Sequence, residues 1–430
     1  MRRLTISCYD CPRMRPTLTA LSLFSGAGGL DHGLGRSQWD ILAHVEMNAS
    51  AAETLRLNKA DNVIQSPIEA VDPKALRSSL RLKKGELALL AGGPPCQPFT
   101  TTGLRKAISD RRASTLFPSY LRFVDAFEPQ ALLIENVDGM LSAALRHRPL
   151  AQRGPGFPSM ATAEMKGSFL RWLLLELAGR GYSVCWGVAE AADYGVPQIR
   201  QRAILIGVRG DEPCFLPRPT FGRGNLPSYR SISSVIGDLG DLGPIQPLSD
   251  RKRSVYERIP AGGNWRDLPK VVQERTMGAA FRAEGGKSGW WRRLAWDSPA
   301  PTILGMPDHS STALIHPDET RCLSVRECAA LQTFPKNYRF GGTSRSQYQQ
   351  IGNAVPPLLG EVLGRHIREF LDGKRTGVPE AAEWRRVSAN RRIGTHGWVI
   401  PGRQPRFYIT VKIRPDHVWA LAAPNTLRVA

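Results

Sequence analysis

The stretch LTALSLFSGAGGLDHGL, residues 18–34, indicates how the fold begins. An apolar run is followed by a turn containing Gly26, Gly28 and Gly29, and then by a segment of helical character. A strand, a glycine turn and a helix N-terminus together bring free backbone N–H groups close to a ligand. The glycines give G-x-G-G rather than the full dinucleotide-binding fingerprint, and an ordinary tight turn has the same pattern.

Strand-like and helix-like segments alternate beyond this turn. Apolar runs occur in ILAHVEMN (41–48), ELALLAGGPP (86–95) and ALLIENV (131–137), and helical spacing occurs in 114–127 and 167–182. This alternation predicts an α/β fold with a parallel sheet covered on both faces. Ligands of such sheets bind at the C-terminal ends of the strands. The unusual residue clusters of this sequence lie at those ends.

The composition indicates a partner that is a polyanion. The 430 residues include 58 Lys and Arg against 38 Asp and Glu, a formal net charge of +20, which favours nucleic acid. The sequence has no apolar run near the ~20 residues that span a bilayer, and its N-terminus lacks the apolar core of a secretory signal. We therefore expect no membrane association and a cytoplasmic protein.

The cysteine content is also consistent with a cytoplasmic protein. Seven cysteines are an odd number without the spacing of a disulfide framework, which indicates a reducing environment. Cys8 and Cys11 form a C-x-x-C pair without a second pair, so we predict no zinc site and no other metal.

The segment GGPPCQPF, residues 92–99, surrounds Cys96 with glycines and prolines. Prolines fix φ and glycines leave space, so the segment holds the thiol in a defined direction. A reactive thiol must be exposed, oriented and readily ionised. A buried structural cysteine is the commonest alternative, but this frame favours a nucleophile.

Four charged residues follow other apolar runs. Glu46 ends the second run about 20 residues after the glycine turn, where an acid binds ribose hydroxyls, so an adenosine-containing cofactor is favoured. Glu135 ends the run ALLI, where burial can raise the pKa of its carboxyl and make it a proton donor; a strand-end salt bridge is equally consistent. In QIRQR (198–202), Arg200 and Arg202 would share one face of an extended strand. They could bind a phosphate or a base, or form a solvated basic strand.

These segments together resemble the DNA (cytosine-5)-methyltransferase family. FSGAGG, PPCQPF, ENV, QIRQR, RCLSVRECAALQTFP and QQIGNAVPP match its motifs in the family's order, spread over about residues 18–370. The resemblance implies a Rossmann-like S-adenosylmethionine-dependent methyltransferase sheet with a smaller, irregular target-recognition domain. It also implies methyl transfer to C5 of a cytosine that is flipped out of duplex DNA.

The resemblance assigns the catalytic roles. Cys96 would add to C6 of cytosine, Glu135 would protonate or hydrogen-bond N3, and Arg202, with Arg200 nearby, would hold the base and its C2 oxygen. C5 would then accept the methyl group from S-adenosylmethionine, and loss of the C5 proton with elimination of the thiolate would restore the ring.

The resemblance also assigns a cofactor site built from separate segments. The cofactor-binding residues would be Phe24, Gly26, Gly28, Gly29, Glu46, Met47, Pro95, Leu116, Asn353 and Val355. Two segments depart from the family pattern. Ser66 stands near the position of the usual adenine-binding Asp, with Ile68 close by. DRRASTLF (110–117) has one residue more than the family segment and lacks its glycine.

The resemblance divides the chain into five parts. A leader (1–17) precedes the catalytic and cofactor-binding domain (18–202), which is interrupted by a target-recognition region (203–320) and resumes at 321–371 before a basic tail (372–430) of unassigned role. The predicted DNA contacts are Gln97, Gln198, Arg266, Lys287, Arg292 and Arg293. Trp290 and Trp291 would pack beneath the basic residues or form the core of the small domain. Arg326 and Glu327 are expected to be structural.

The predicted protein is a monomeric DNA (cytosine-5)-methyltransferase acting on a short specific site in double-stranded DNA. The resemblance implies the protective half of a bacterial restriction–modification system, paired with a restriction endonuclease. A tRNA cytosine-5 methyltransferase and a catalytically inactive DNA-binding relative are the alternatives. The +20 charge and large recognition region argue against the first, and the intact Cys96, Glu135 and Arg202 argue against the second.

Overall fold

The computed structural model describes residues 18–95, 113–222, 224–237, 239–282, 289–374 and 409–411. Cys8, Cys11, Cys96, Gln97 and Lys287, which the sequence singles out, lie outside these ranges.

One twisted sheet forms the centre of the catalytic part. Its strands are β1 (Leu18–Leu23), β2 (Trp39–Val45), β3 (Val63–Ile64), β4 (Leu89–Gly92), β5 (Ala131–Asn136), β6 (Tyr182–Glu190), β7 (Gln201–Arg209) and β8 (Ile409–Val411). Their order across the sheet is β3-β2-β1-β4-β5-β7-β6-β8. The C-terminal ends of β3, β2, β1, β4 and β5 therefore lie side by side along one edge.

The sheet is mixed, which corrects the expectation of a parallel sheet. β1 to β5 pair in parallel, whereas β7 runs antiparallel between β5 and β6. Only residues 191–200 connect β6 to β7. That connection is too short to carry the chain back to the other end of the sheet, so the two strands pair antiparallel. The predicted α/β, Rossmann-like class is confirmed.

The described residues form helices on both faces of the sheet and further helices in two separate cores. In chain order they are α1 (Gly29–Arg36), α2 (Ala49–Leu57), α3 (Pro73–Ser79), α4 (Ala113–Phe127), α5 (Ser168–Ala178), α6 (Ser233–Ile236), α7 (Asp250–Tyr256), α8 (Lys270–Met277), α9 (Ala279–Arg282), α10 (Val325–Leu331), α11 (Ser344–Asn353) and α12 (Pro357–Leu371).

Successive strand residues belong to opposite faces, as the two-residue period of a strand requires. Leu132 and Ile134 of β5 join the apolar core that includes α4 and α5. Leu133, between them, joins the core that includes α1 and α12. Both faces of β5 are thus apolar, and its polar residues come only at its end.

The predicted boundary at residue 203 falls inside β7, which continues in the sheet to Arg209. The segment after β7 still adds Cys214 and Leu216 to the core under α12. Farther on, Tyr256, Trp265 and Trp291 form a separate small core. Part of the basic tail also belongs to the fold, because β8 pairs antiparallel with β6. Across the described residues, no helix has both the length and the apolar character that crossing a bilayer requires.

Candidate active site

Glu135 and Arg202 form an ion pair where β5 ends and β7 begins. The antiparallel register places Glu135 opposite Ile204 and Asn136 opposite Ala203, so the two charged residues are close although 67 positions apart. Arg202 Nε lies 2.8 Å from Glu135 Oε1. Both residues are buried: Arg202 is 9% exposed and Glu135 is 8% exposed. The two residues predicted to hold the base therefore lie together at this edge of the sheet.

Two opposing effects act on the Glu135 carboxyl. Burial raises its pKa, because the charged form loses its water. The positive charges of Arg202 and Arg200 and the hydrogen bond from Arg202 oppose this shift. The pKa remains raised, so the carboxyl keeps its proton to higher pH than an exposed glutamate. This is the property that a proton donor to a ring nitrogen requires.

The segment leading to Cys96 runs beside this pair. A side chain carbon placed on Gly93 would lie 3.1 Å from Glu135 Oε2, so only glycine leaves the carboxylate undisturbed there. One residue on, the Pro94 carbonyl accepts a hydrogen bond of 2.8 Å from Asn136 Nδ2. The chain then passes through Pro95 to Cys96, which lies outside the described residues, as does Gln97.

Arg200 and Arg202 have different partners, although the sequence predicts that they share one face of a strand. β7 begins only at Gln201, so the alternation of a strand does not extend to Arg200. Its guanidinium is completely buried and donates to the carbonyls of Ile303, Gly352 and Ala354. Arg200 thus joins the start of β7 to the segment at Ile303 and to the end of α11, and these contacts are structural.

Gln198, a predicted DNA contact, is also buried and bonded within the protein. Its exposure is 0%. Its amide donates to Gln332 Oε1 at 3.1 Å and accepts from the Ile303 N–H at 2.9 Å. The sequence contains no sign of this, because its partners are 105 and 134 positions away.

The glycine turn between β1 and α1 is closed by Glu46. Gly26 and Gly28 have φ of 56° and 75°, in the region that favours glycine. The Gly26 N–H donates to Glu46 Oε2 at 2.8 Å, and the Asn48 N–H donates to Oε1 at 2.7 Å. Burial raises the pKa of Glu46, and the hydrogen bonds from the backbone of Asn48, Gly26 and Met47 oppose the shift.

The glycines of the turn differ in their surroundings. A side chain carbon on Gly26 would meet nothing nearer than the Phe24 carbonyl at 4.0 Å, so the space above it is open. On Gly28 it would meet Leu55 and Tyr338 at 2.8 Å. On Gly29 it would lie 2.3 Å from the Val355 carbonyl. Gly26 therefore faces free space, whereas Gly29 permits close packing of the turn against the start of α12.

The other predicted cofactor residues differ in their exposure to solvent. Met47 follows Glu46 and is 66% exposed, and Asn353 is exposed at the end of α11. Leu116 and Val355 are buried in the two cores. Phe24 and Pro95 are half-buried.

The first of the two segments that depart from the family pattern, with Ser66 and Ile68, follows β3. The Ser66 N–H donates to the Glu46 carbonyl at 3.1 Å, so Ser66 adjoins this cluster. Ile68, by contrast, is buried in the core.

Sequence reasoning missed a buried polar chain beneath the turn. Ser25 donates to the Ser22 hydroxyl, and Ser22 donates to Asp31 at 2.6 Å. The other Asp31 oxygen lies 2.7 Å from His44 Nδ1. Tyr338, also missed, donates to the Ala27 carbonyl at 2.6 Å. A polar residue at an inward position of a strand, such as Ser22 or His44, was the available signal.

The predicted DNA contacts of the recognition region differ in their exposure to solvent. Arg293, a predicted DNA contact, is 6% exposed and donates to the carbonyls of Tyr256, Pro317 and Asp318 and to the Thr320 hydroxyl. Arg266 is exposed, with its guanidinium carbon 4.7 Å from the centre of the Trp265 ring.

Arg292, unlike its neighbour Arg293, is half-buried. Burial lowers the pKa of its guanidinium to about 10.

The two tryptophans belong mainly to the core of the small domain. Trp291 is buried, and its ring centre lies 5.1 Å from that of Tyr256. Trp290 packs against the same cluster. Glu327 is 1% exposed and pairs with Arg321, and its N–H donates to the Ser324 hydroxyl that caps α10, in keeping with a structural role. Arg326 donates to the Tyr338 carbonyl.

Comparison with known proteins identifies the family of this chain. The C-5 cytosine-specific DNA methylase family profile matches residues 18–369. The type II methyltransferase M.Sau96I of Staphylococcus aureus is 33% identical over 350 residues, covering 81% of this chain and 75% of the relative. M.Eco47II of Escherichia coli, also a type II methyltransferase, is 33% identical over 360 residues, covering 82% and 79%.

Solved structures share the fold at lower identity. A DNA modification methyltransferase encoded within an Escherichia coli prophage superposes with a TM-score of 0.56 at 23% identity, covering 83% of this chain and 99% of that one. The Entamoeba histolytica methyltransferase EhMeth gives 0.52 at 16%, with the same coverage. The family match and the two close relatives show that this chain belongs to the C-5 cytosine-specific DNA methylases and is a DNA (cytosine-5)-methyltransferase.

Proposed function

We propose that this enzyme transfers a methyl group from S-adenosylmethionine to C5 of a flipped-out cytosine in a short specific site of double-stranded DNA. The observation that carries the proposal is the buried Glu135–Arg202 pair beside Gly93, three residues before Cys96. Attack on a pyrimidine ring requires a proton donor and a cation close to a nucleophile, and this pair lies beside the segment that leads to Cys96.

The residues around the glycine turn fit S-adenosylmethionine. Glu46 is held by two backbone N–H groups, so its carboxylate is oriented and can accept from the two ribose hydroxyls. The exposed Met47 offers an apolar surface to a purine, and the space above Gly26 admits the methionine part. When bound, S-adenosylmethionine supplies an electrophilic methyl group.

The side chains of this enzyme would activate the cytosine. The Cys96 thiolate attacks C6, and Glu135 gives a proton to N3, so the ring accepts the electron pair without a full negative charge. Arg202 holds the base at its C2 oxygen and keeps Glu135 in place. C5 is then the nucleophilic carbon that becomes methylated. Loss of the C5 proton and departure of the thiolate restore the double bond.

The basic recognition region would provide the specificity. The target base lies inside a duplex, so it must leave the stack to reach Cys96. Residues from about 211 to 320 would read the neighbouring bases in the major groove, with Arg266 as an exposed candidate contact. M.Sau96I and M.Eco47II are type II methyltransferases, which supports a role in restriction–modification beside an endonuclease of the same specificity.

Tritium-labelled S-adenosylmethionine tests the proposal. The enzyme should label C5 of cytosine in duplex DNA, and a duplex with 5-fluorocytosine at the target should form a covalent complex, because fluorine blocks loss of the C5 substituent. Cys96→Ser should bind DNA but give neither result. Label in tRNA but not in DNA would overturn the substrate assignment, and unchanged turnover by Cys96→Ser would remove Cys96 from the mechanism.

A further inference from the structure

Asn136 ends β5 with a buried side chain whose amide oxygen and nitrogen both bond within the protein. Its exposure is 1%. Its Nδ2 donates to the Pro94 carbonyl at 2.8 Å, and its Oδ1 accepts from the Val137 N–H at 2.9 Å. The second bond fixes the orientation of the amide, so the donor points at Pro94.

The hydrogen bond to the Pro94 carbonyl can fix the direction in which the chain leaves β4. The paired residues of β4 and β5 end at Gly92 and Ile134, and the chain turns away from the ladder at Gly93. The Pro94 oxygen lies in the plane of the peptide that joins Pro94 to Pro95. A hydrogen bond to that oxygen therefore fixes ψ of Pro94, while the two rings fix φ of both prolines.

We propose that Asn136 is a positioning residue for Cys96, an inference that rests on the proposed role of Cys96 as the nucleophile. With the Pro94–Pro95 peptide held by Asn136, ψ of Pro95 is the one backbone torsion left free before Cys96. Glu135, the preceding residue, contacts the same segment at Gly93. Consecutive residues of β5 thus hold the proposed proton donor and the chain at Pro94, two residues before Cys96.

The inference predicts an effect on the chemical step rather than on binding. Asn136→Asp keeps the size of the side chain and the acceptor for Val137, but it loses the donor to Pro94. A small misplacement of a reacting group can cost about 100-fold in rate. We expect kcat and the rate of covalent complex formation with 5-fluorocytosine DNA to fall together, by about 10- to 100-fold. KM for DNA and KM for S-adenosylmethionine should stay within about twofold, since no contact to either is removed.

Asn58 provides a matched control. Its Nδ2 donates to the Arg339 carbonyl at 2.7 Å, and its Oδ1 accepts from the Arg339 N–H at 3.0 Å. Asn58→Asp therefore removes the same kind of bond at a different joint of the fold, and its kcat should match the wild type. Asn136→Ala, which adds no charge beside Glu135, should reproduce the loss seen with Asn136→Asp.

Three results would overturn the inference. Unchanged kcat in both Asn136 variants would show that the bond does not direct the thiol. A parallel change of kcat, both KM values and the melting temperature, or failure of both variants to fold, would assign Asn136 a general structural role. An equal loss in Asn58→Asp would do the same. A wild-type enzyme that forms no covalent complex would instead contradict the proposed function itself.

Discussion

Two nearby effects of opposite sign act on the pKa of the buried Glu135 carboxyl. Burial favours its protonated form, while the Arg202 guanidinium at 2.8 Å favours the ionised form. Burial prevails and the pKa is raised. Arg202 therefore limits the rise of the Glu135 pKa. The proposed proton donor must both give and regain a proton, so its carboxyl has to remain ionisable.

Replacing Glu135 should remove most of the activity and its dependence on pH. Glu135→Gln keeps a hydrogen-bond donor but has no proton to transfer, so kcat should fall by ~10²- to 10⁴-fold with DNA binding retained. In the wild type, the protonated form is lost as pH rises through the raised pKa, so kcat should decline on that side. The glutamine variant should lack this decline in a pH series of methyl transfer. A decline of equal size in the variant would mean that another group titrates.

Arg200 and Arg202 should respond differently to the same substitution. Arg200→Gln leaves buried carbonyls of Ile303, Gly352 and Ala354 without their donor, so the free energy of unfolding should fall by about 3 kcal/mol. Arg202→Gln should mainly lower kcat, because that side chain holds Glu135. Urea unfolding and methyl transfer measured on both variants separate the two effects. Equal stabilities would contradict the structural role of Arg200.

Helices α1 and α12 join the start of the fold to its return near the C-terminal end. They pack so closely that a side chain carbon on Gly33 would lie 2.2 Å from the Pro357 carbonyl. On Gly360 it would lie 3.0 Å from the Leu30 carbonyl. The same contact brings Val355 onto Gly29 at the glycine turn. Glycines in these helices therefore keep the two distant parts of the proposed cofactor-binding region together.

A pair of alanine substitutions in α1 tests this packing. Gly33→Ala should push α12 away and lower the free energy of unfolding by about 1–3 kcal/mol. At Gly35, two residues on, nothing lies within 4 Å of an added carbon, so Gly35→Ala should be neutral or stabilising by up to about 1 kcal/mol. Thermal or urea unfolding compares the two. A Gly33→Ala variant as stable as Gly35→Ala would show that the helices separate without cost.

Elements with strong local patterns were predictable, and their mutual arrangement was not. The strand, turn and helix at 18–34 and the strand ALLIEN follow from apolar runs and glycines. The antiparallel β7 was missed because pairing direction depends on the length of the connection. The buried hydrogen bonds of Arg200, Gln198 and Arg293 could not be predicted, because their partners come from residues far away in the sequence. The pairing of Glu135 with Arg202 likewise needed the register of β5 and β7.

At the scale of the whole molecule, charge should dominate the encounter with DNA. A net charge of +20 attracts a polyanion along many phosphates. If six or more phosphates are contacted, affinity for a duplex should fall by on the order of 10³-fold between ~50 and ~200 mM salt. Fluorescence anisotropy over a salt series measures this slope. A slope near zero would contradict electrostatic binding by the basic surface.

The central claim is that this chain methylates C5 of cytosine in DNA through Cys96. Bisulfite sequencing of DNA from cells that express the full chain tests it most directly, with cells expressing Cys96→Ser beside them. The account predicts cytosines that resist conversion at one short recurring site in the first cells and none in the second. Full conversion in both, or the same resistant site in both, would contradict it.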